Sequence, residues 1–119
     1  MKKTLIVGAT NNSGRYAYKA ANRLVEAGHE IVPFGIKKGE VAGVEMVNDW
    51  QHFEAIDTVT MYVGAPRQAD YIDKIISIEP KRVIFNPGTE NPIFEEQLKA
   101  ANIEVEIACT LVLLSLKSY

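Results

Sequence analysis

The sequence predicts an α/β protein with helices on both faces of a five-stranded, mainly parallel sheet. Two observations carry this prediction. Short apolar runs rich in Val, Ile and Phe recur along the chain, and most are separated by stretches whose apolar residues fall three and four apart. The runs have the pattern of buried strands and the stretches that of one-sided helices. Their alternation is the pattern of parallel strands joined by helical crossovers. Together these predict a Rossmann-like three-layer sandwich.

Leu5-Ile6-Val7, ended by Gly8, predicts the first strand. Ala17, Ala20, Ala21, Leu24 and Val25 form one apolar helical face, and Gly28 stops the helix. Glu30–Phe34 predicts a second strand. Val44–Val47 is a short extended piece within a Gly39/Gly43 turn region, and Asn48–Phe53 a helical turn capped by Asn48. Thr58–Val63 is a third strand. Pro66 suits the first turn of a helix that buries Ala69, Ile72, Ile75 and Ile76. Arg82–Phe85 is a fourth strand. Asn91-Pro92 opens a helix with Phe94, Leu98 and Ala101 inward, Glu104–Ile107 is a fifth strand, and Thr110–Leu116 packs as a short helix or extension.

At 119 residues the chain has the size of one domain, spanning 1–119, with a core that needs no disulfide or metal. The net charge of −2 argues against nucleic acid as the main partner, since such binders carry a basic excess. The lone Cys109 excludes an internal disulfide framework and fits a reducing, cytoplasmic setting. No segment has the apolar length of a membrane span, and the basic start followed by a short apolar run is no signal peptide. A protein partner or a homodimer is compatible with this composition.

Parallel sheets bind ligands beyond the carboxyl ends of their strands. Gly8-Ala9-Thr10-Asn11-Asn12-Ser13-Gly14-Arg15 follows a strand and opens a helix, the context of a phosphate-binding loop. Gly8 and Gly14 permit close backbone approach. Thr10, Asn11, Asn12 and Ser13 add side-chain donors, and Arg15 suits bidentate contact with phosphate. The dinucleotide pattern G-x-G-x-x-G would place glycine at Thr10 and Ser13, and neither is glycine. The end of the second strand carries Lys37 and Lys38 where NAD proteins place an acid for the ribose, which favours a ligand with an additional phosphate. Coenzyme A, with its 3′-phosphate, and NADP, with its 2′-phosphate, both meet that requirement. Tyr62, Gly64 and Pro66 leave room for a flat group at the third strand end. At the fourth, Asn86, Gly88 and Glu90 lie in a loop of defined shape dense in Pro, Gly and Asn.

In order and spacing these loops resemble the Rossmann-type CoA-binding domain, found alone in small bacterial proteins and at the start of succinyl-CoA ligase alpha subunits. Ile6-Val7-Gly8-Ala9-Thr10 with Arg15 is similar to the first loop of the stand-alone proteins. Lys37-Lys38-Gly39 followed by Gly43–Asn48 resembles the ligase segment in which a lysine meets the nucleotide, and Tyr62-Val63-Gly64-Ala65-Pro66 the ligase Tyr-Val-Pro-Ala-Pro loop. Gly88-Thr89-Glu90 takes the place of its Thr-Glu-Gly stretch, and Cys109 that of a cysteine after the last strand. The chain departs from the stand-alone pattern at Gly35-Ile36, where Asn-Pro is usual, and at Ile107-Ala108, where Asp-Arg is usual. The resemblance implies cofactor binding without ligase chemistry, because no domain with a phosphorylated histidine follows.

No catalytic constellation is expected. His29 and His52 lie in turns, and Cys109 among small apolar residues reads as a buried, inert thiol. Two functions from different classes stay open: a module that binds coenzyme A or an acyl-CoA as carrier, sensor or accessory, and a minimal NAD(P)-binding oxidoreductase-like domain. Against the second, no tyrosine precedes a lysine by four. A third, a protein-binding domain with a vestigial ligand site, is weaker.

Overall fold

The computed structural model describes residues 1–119. Its elements are β1 (Thr4–Val7), α1 (Tyr16–Glu26), β2 (Ile31–Phe34), β3 (Glu40–Val41), β4 (Val44–Glu45), β5 (Thr58–Met61), α2 (Ile72–Ser77), β6 (Arg82–Phe85), α3 (Pro92–Ala100), β7 (Glu104–Ile107) and α4 (Thr110–Ser115). The main sheet has the order β2-β1-β5-β6-β7. Every pairing in it is parallel, with Leu5 opposite Val32 and Val59, and Val83 opposite Val59 and Val105. β3 and β4 form a separate antiparallel hairpin.

Alternation along the strands divides the core. Leu5, Val7, Val59, Met61, Val83 and Phe85 face one side, where Ile75 of α2 and Phe94 and Leu98 of α3 cover them. Ile6 and Ile31 face the other, against Ala21 and Leu24 of α1, the β3–β4 hairpin and Leu114 of α4. Burying each such aliphatic side chain contributes about 1.5–3 kcal/mol. The predicted Asn91 cap is present: its Oδ1 accepts from the Phe94 amide at 3.3 Å. At the amino edge of the sheet, buried Arg82 pairs with Glu106 at 3.0 Å and lies 4.6 Å from the Tyr119 ring centroid.

Three expectations need correction. Residues 48–53 form no helical turn. The Asn48 amide instead donates to the Gly35 and Lys37 carbonyls, both at 2.8 Å, and Trp50 and Phe53 pack edge-on against Phe34. Local capping chemistry lost there to tertiary aromatic packing. The Pro66 helix is replaced by two 3₁₀ turns, Ala65–Arg67 and Ala69–Tyr71, before α2. Gln68, not Ala69, points inward, which shortens the helix. Ala101 ends α3 as an exposed C-cap.

Candidate functional site

β1 lies between β2 and β5, so the chain leaves it first to one side and later to the other. Such a switch point opens a crevice at the carboxyl ends of the strands. Two cavities of about 450 and 420 Å³ occupy that place, and both are lined by Gly8, Thr10, Arg15 and Tyr62. They make one groove from the end of β2 across β1 and β5 to the end of β6. Lys37 and Pro66 line its β2 side, and Gly14, Gly64 and Gly88 its β6 side.

Gly8 shapes the floor. Its φ is +92°, and a Cβ there would lie 2.9 Å from Val63 Cγ2 and 3.0 Å from the Tyr62 carbonyl carbon. No other residue type is accommodated without displacement. The Gly8 and Ala9 amides both donate to the Phe34 carbonyl, at 3.0 and 2.9 Å, so neither is left for a ligand. The Gly14 amide is likewise taken by Asn12 Oδ1 at 3.0 Å, and the Arg15 amide by the Asn12 carbonyl at 3.1 Å. The Thr10, Asn11 and Ser13 amides have no acceptor within the protein, and further free donors open α1. Arg15 is the N-cap of α1 and makes no side-chain cap, and the Tyr16, Ala17 and Tyr18 amides have no intrahelical acceptor. Those amides and the helix dipole give the amino end of α1 a local positive potential.

The other residues expected at the site fall off the groove wall. Asn11 donates to the Lys38 carbonyl at 2.8 Å, which ties the first loop to the second. Asn12 and Ser13 are exposed on the first loop, and Asn12 takes part in the turn just described. Glu90 Oε1 accepts from the Gly88 amide at 2.9 Å and closes the fourth loop. Asn86 is 2% exposed. Its amide donates to Thr60 Oγ1 and the Met61 carbonyl, and its Oδ1 accepts from the Thr110 amide. The Asn11, Asn12, Asn86 and Glu90 side chains hold the loops in shape, while the Ser13 hydroxyl makes no bond within the protein. Cys109 is half-buried at the N-cap of α4, more open than the buried thiol expected, since it stands before the helix and not within it.

Several site residues carry no signal in the sequence. Arg67, at the end of a 3₁₀ turn, lines the β2-side cavity with Arg15 and Lys37. None of the three joins an ion pair; those in the molecule are Lys3–Glu30, Lys81–Asp57 and Arg82–Glu106. The same cavity has Phe34 and Tyr71 as aromatic lining and Asp70 as its one carboxylate. Gln68 is fully buried and ties the third loop to the fourth: its Nε2 donates to the Val63 carbonyl at 2.8 Å and the Thr89 carbonyl at 2.7 Å, and its Oε1 accepts from Asn91 at 3.0 Å. A Cβ on Gly35 would overlap the Ala9 carbonyl oxygen, so the glycine that departs from the usual Asn-Pro lets the first two loops cross. Burial holds the Tyr62 phenol protonated far above its ordinary range, with Cys109, Thr110 and Thr60 as neighbours.

The order of these loops along one edge has a counterpart in known proteins. A family model described as CoA binding domain matches residues 2–115. The chain belongs to that family. A crystallised protein of uncharacterised function is 52% identical, with a TM-score of 0.97 over 100% of this chain and 98% of the other. A Thermus thermophilus protein matches at 24% identity and TM-score 0.86, covering 99% of this chain and 90% of that one. A hypothetical protein from Pyrococcus horikoshii OT3 matches at 24% identity and TM-score 0.84, covering 93% and 80%. An oxidoreductase from Bacillus cereus, 17% identical at TM-score 0.63, shares the fold across 89% of this chain and 34% of its own length. Curated proteins give no match. The chain is a parallel α/β domain with a groove at the carboxyl ends of its strands.

Proposed function

We propose that the protein binds coenzyme A or an acyl-CoA in this groove, as a carrier, sensor or accessory module without chemistry of its own. The observation that carries it is a cavity with three cations, Arg15, Lys37 and Arg67, free of ion-pair partners, beside the open amino end of α1. Coenzyme A presents a diphosphate and a separate 3′-phosphate. The α1 amides and Arg15 suit the diphosphate, as a helix dipole and a guanidinium fork each favour phosphate oxygens. Lys37, at the end of β2, suits the 3′-phosphate, with Lys38 beside it in the same loop. Phe34, Pro66 and Tyr71 offer an apolar wall for the adenine. Asn11, Asn12, Asn86 and Glu90 act through the shape of the loops, and exposed Ser13 offers its hydroxyl at the first loop. No helix is long and apolar enough to cross a membrane, in keeping with a cytoplasmic domain formed by residues 1–119.

A thermal-shift panel tests this. A ligand that binds only the native state raises the melting temperature by mass action. Coenzyme A is expected to stabilise the protein at lower concentration than NADPH, NADH or ATP. Stabilisation by NADPH at lower concentration than coenzyme A would replace this reading with the NADP-binding, oxidoreductase-like one.

A further inference from the structure

We infer that the groove takes coenzyme A itself or its short acyl thioesters and has no compartment for a long acyl chain. This rests on the coenzyme A reading above and adds the class of group carried at the thiol end.

The two ends of the groove differ in chemistry. Phe34, Tyr71, Lys37 and Arg67 belong only to the β2 side, which suits a flat base and its phosphates. Gly14, Gly64, Gly88, Pro87 and Thr89 belong only to the β6 side. Walls of glycine suit a thin, unbranched arm. The thiol therefore points past the ends of β5 and β6.

Beneath that end the protein is closed and polar. Thr60 and Thr110 are fully buried and bonded to each other through their hydroxyls at 2.8 Å. Asn86 donates to Thr60 Oγ1 at 2.7 Å and accepts from the Thr110 amide at 2.9 Å. The Tyr62 hydroxyl beside them is buried and has no hydrogen-bond partner, which adds a further polar atom. On the other face of the sheet, Phe85 and Phe94 are fully buried and pack edge to face at 5.5 Å. A chain growing inward from the thioester would break the Thr60–Thr110–Asn86 hydrogen bonds, and such breaks are costly in a low-dielectric interior. A chain growing outward stays in water and gains nothing.

Burying one methylene is worth about fourfold in affinity. An apolar compartment would therefore make hexanoyl-CoA tighter than acetyl-CoA on the order of a hundredfold. The test is displacement of bound coenzyme A from the intact protein by coenzyme A, acetyl-CoA, butyryl-CoA and hexanoyl-CoA, so that only binding in the groove is counted. The expected dissociation constants are flat or rise with chain length, staying no more than about threefold tighter than that of acetyl-CoA, a margin below one buried methylene. Hexanoyl-CoA binding more than about tenfold tighter than acetyl-CoA would overturn this inference alone. Failure of coenzyme A and every thioester to bind would overturn the coenzyme A reading, and this inference with it.

Discussion

Arg15 and Gln68 show two ways in which one residue serves the groove. Arg15 offers charge: it caps α1 without using its side chain and lines both halves of the groove. Arg15→Ala is expected to weaken coenzyme A binding by about 1–3 kcal/mol, the range of a charge-assisted hydrogen bond, with the melting temperature nearly unchanged. Calorimetric titration of both proteins checks this, and equal affinities would remove Arg15 from the site. Gln68 offers position. Replacing it with Ala strands the Val63 and Thr89 carbonyls and the Asn91 amide, each of which it now pairs. The expected loss is about 2–4 kcal/mol of stability, since a buried group left unpaired costs roughly 1–3 kcal/mol, and urea unfolding measures it. Arg15 and Lys37 are legible in the sequence because they stand in the loops that follow the first two predicted strands. Gln68 is not, since its value comes from two loops that meet only in the folded chain. Gly35 is hidden for the same reason, as the Ala9 carbonyl it admits lies far away in sequence.

Among the elements, the five strands and the helices α1 and α3 follow directly from apolar spacing and the Asn91-Pro92 start, while Thr110–Leu116, compatible in sequence with a helix or an extension, forms α4. What periodicity missed is β3 and the stretch between β4 and α2. There Trp50, Phe53, Tyr71 and Phe34 form an aromatic cluster that sets the local backbone, and no short-range rule describes it. The chain after α4 makes a second long-range tie. Tyr119 Oη lies 2.6 Å from Thr4 Oγ1, its ring packs 4.9 Å from that of His29, and His29 Nδ1 accepts from the Lys2 amide at 2.9 Å. That acceptor exists only in the neutral imidazole. Burial lowers the His29 pKa below 6.5, and the amino terminus, Lys2 and Arg82 lower it further. Protonation is thus harder in the folded than in the unfolded state, and the unfolded state binds more protons between the two pKa values. The His29 contribution is full above about 6.5 and is lost as pH falls through the lower, folded value. His29→Gln should have a urea midpoint that falls less between pH 7.5 and 5 than the parent's. An identical fall in both proteins would show that His29 carries none of it.

Over the whole molecule, chemistry is divided between the two edges of the sheet. The amino edge is closed by Arg82, Glu106 and Tyr119, and the carboxyl edge carries the groove. Substitutions in the shared core act on stability without touching the groove. Leu98→Ala, at a fully buried position of α3, should cost about 2–5 kcal/mol while the coenzyme A affinity of the folded protein stays unchanged. Both groups of ligand donors depend on the parallel order β2-β1-β5-β6, which brings Lys37, the start of α1 and Arg67 to one edge. The central claim is that this edge reads coenzyme A through both its diphosphate and its 3′-phosphate. Calorimetric titration of the native protein with coenzyme A and with dephospho-coenzyme A measures it most directly. One site per chain is expected, with dephospho-coenzyme A weaker by about tenfold, one charge-assisted contact being worth about 1.5 kcal/mol. Equal affinity for the two would contradict the role given to Lys37, and absence of binding by either would contradict the coenzyme A account itself.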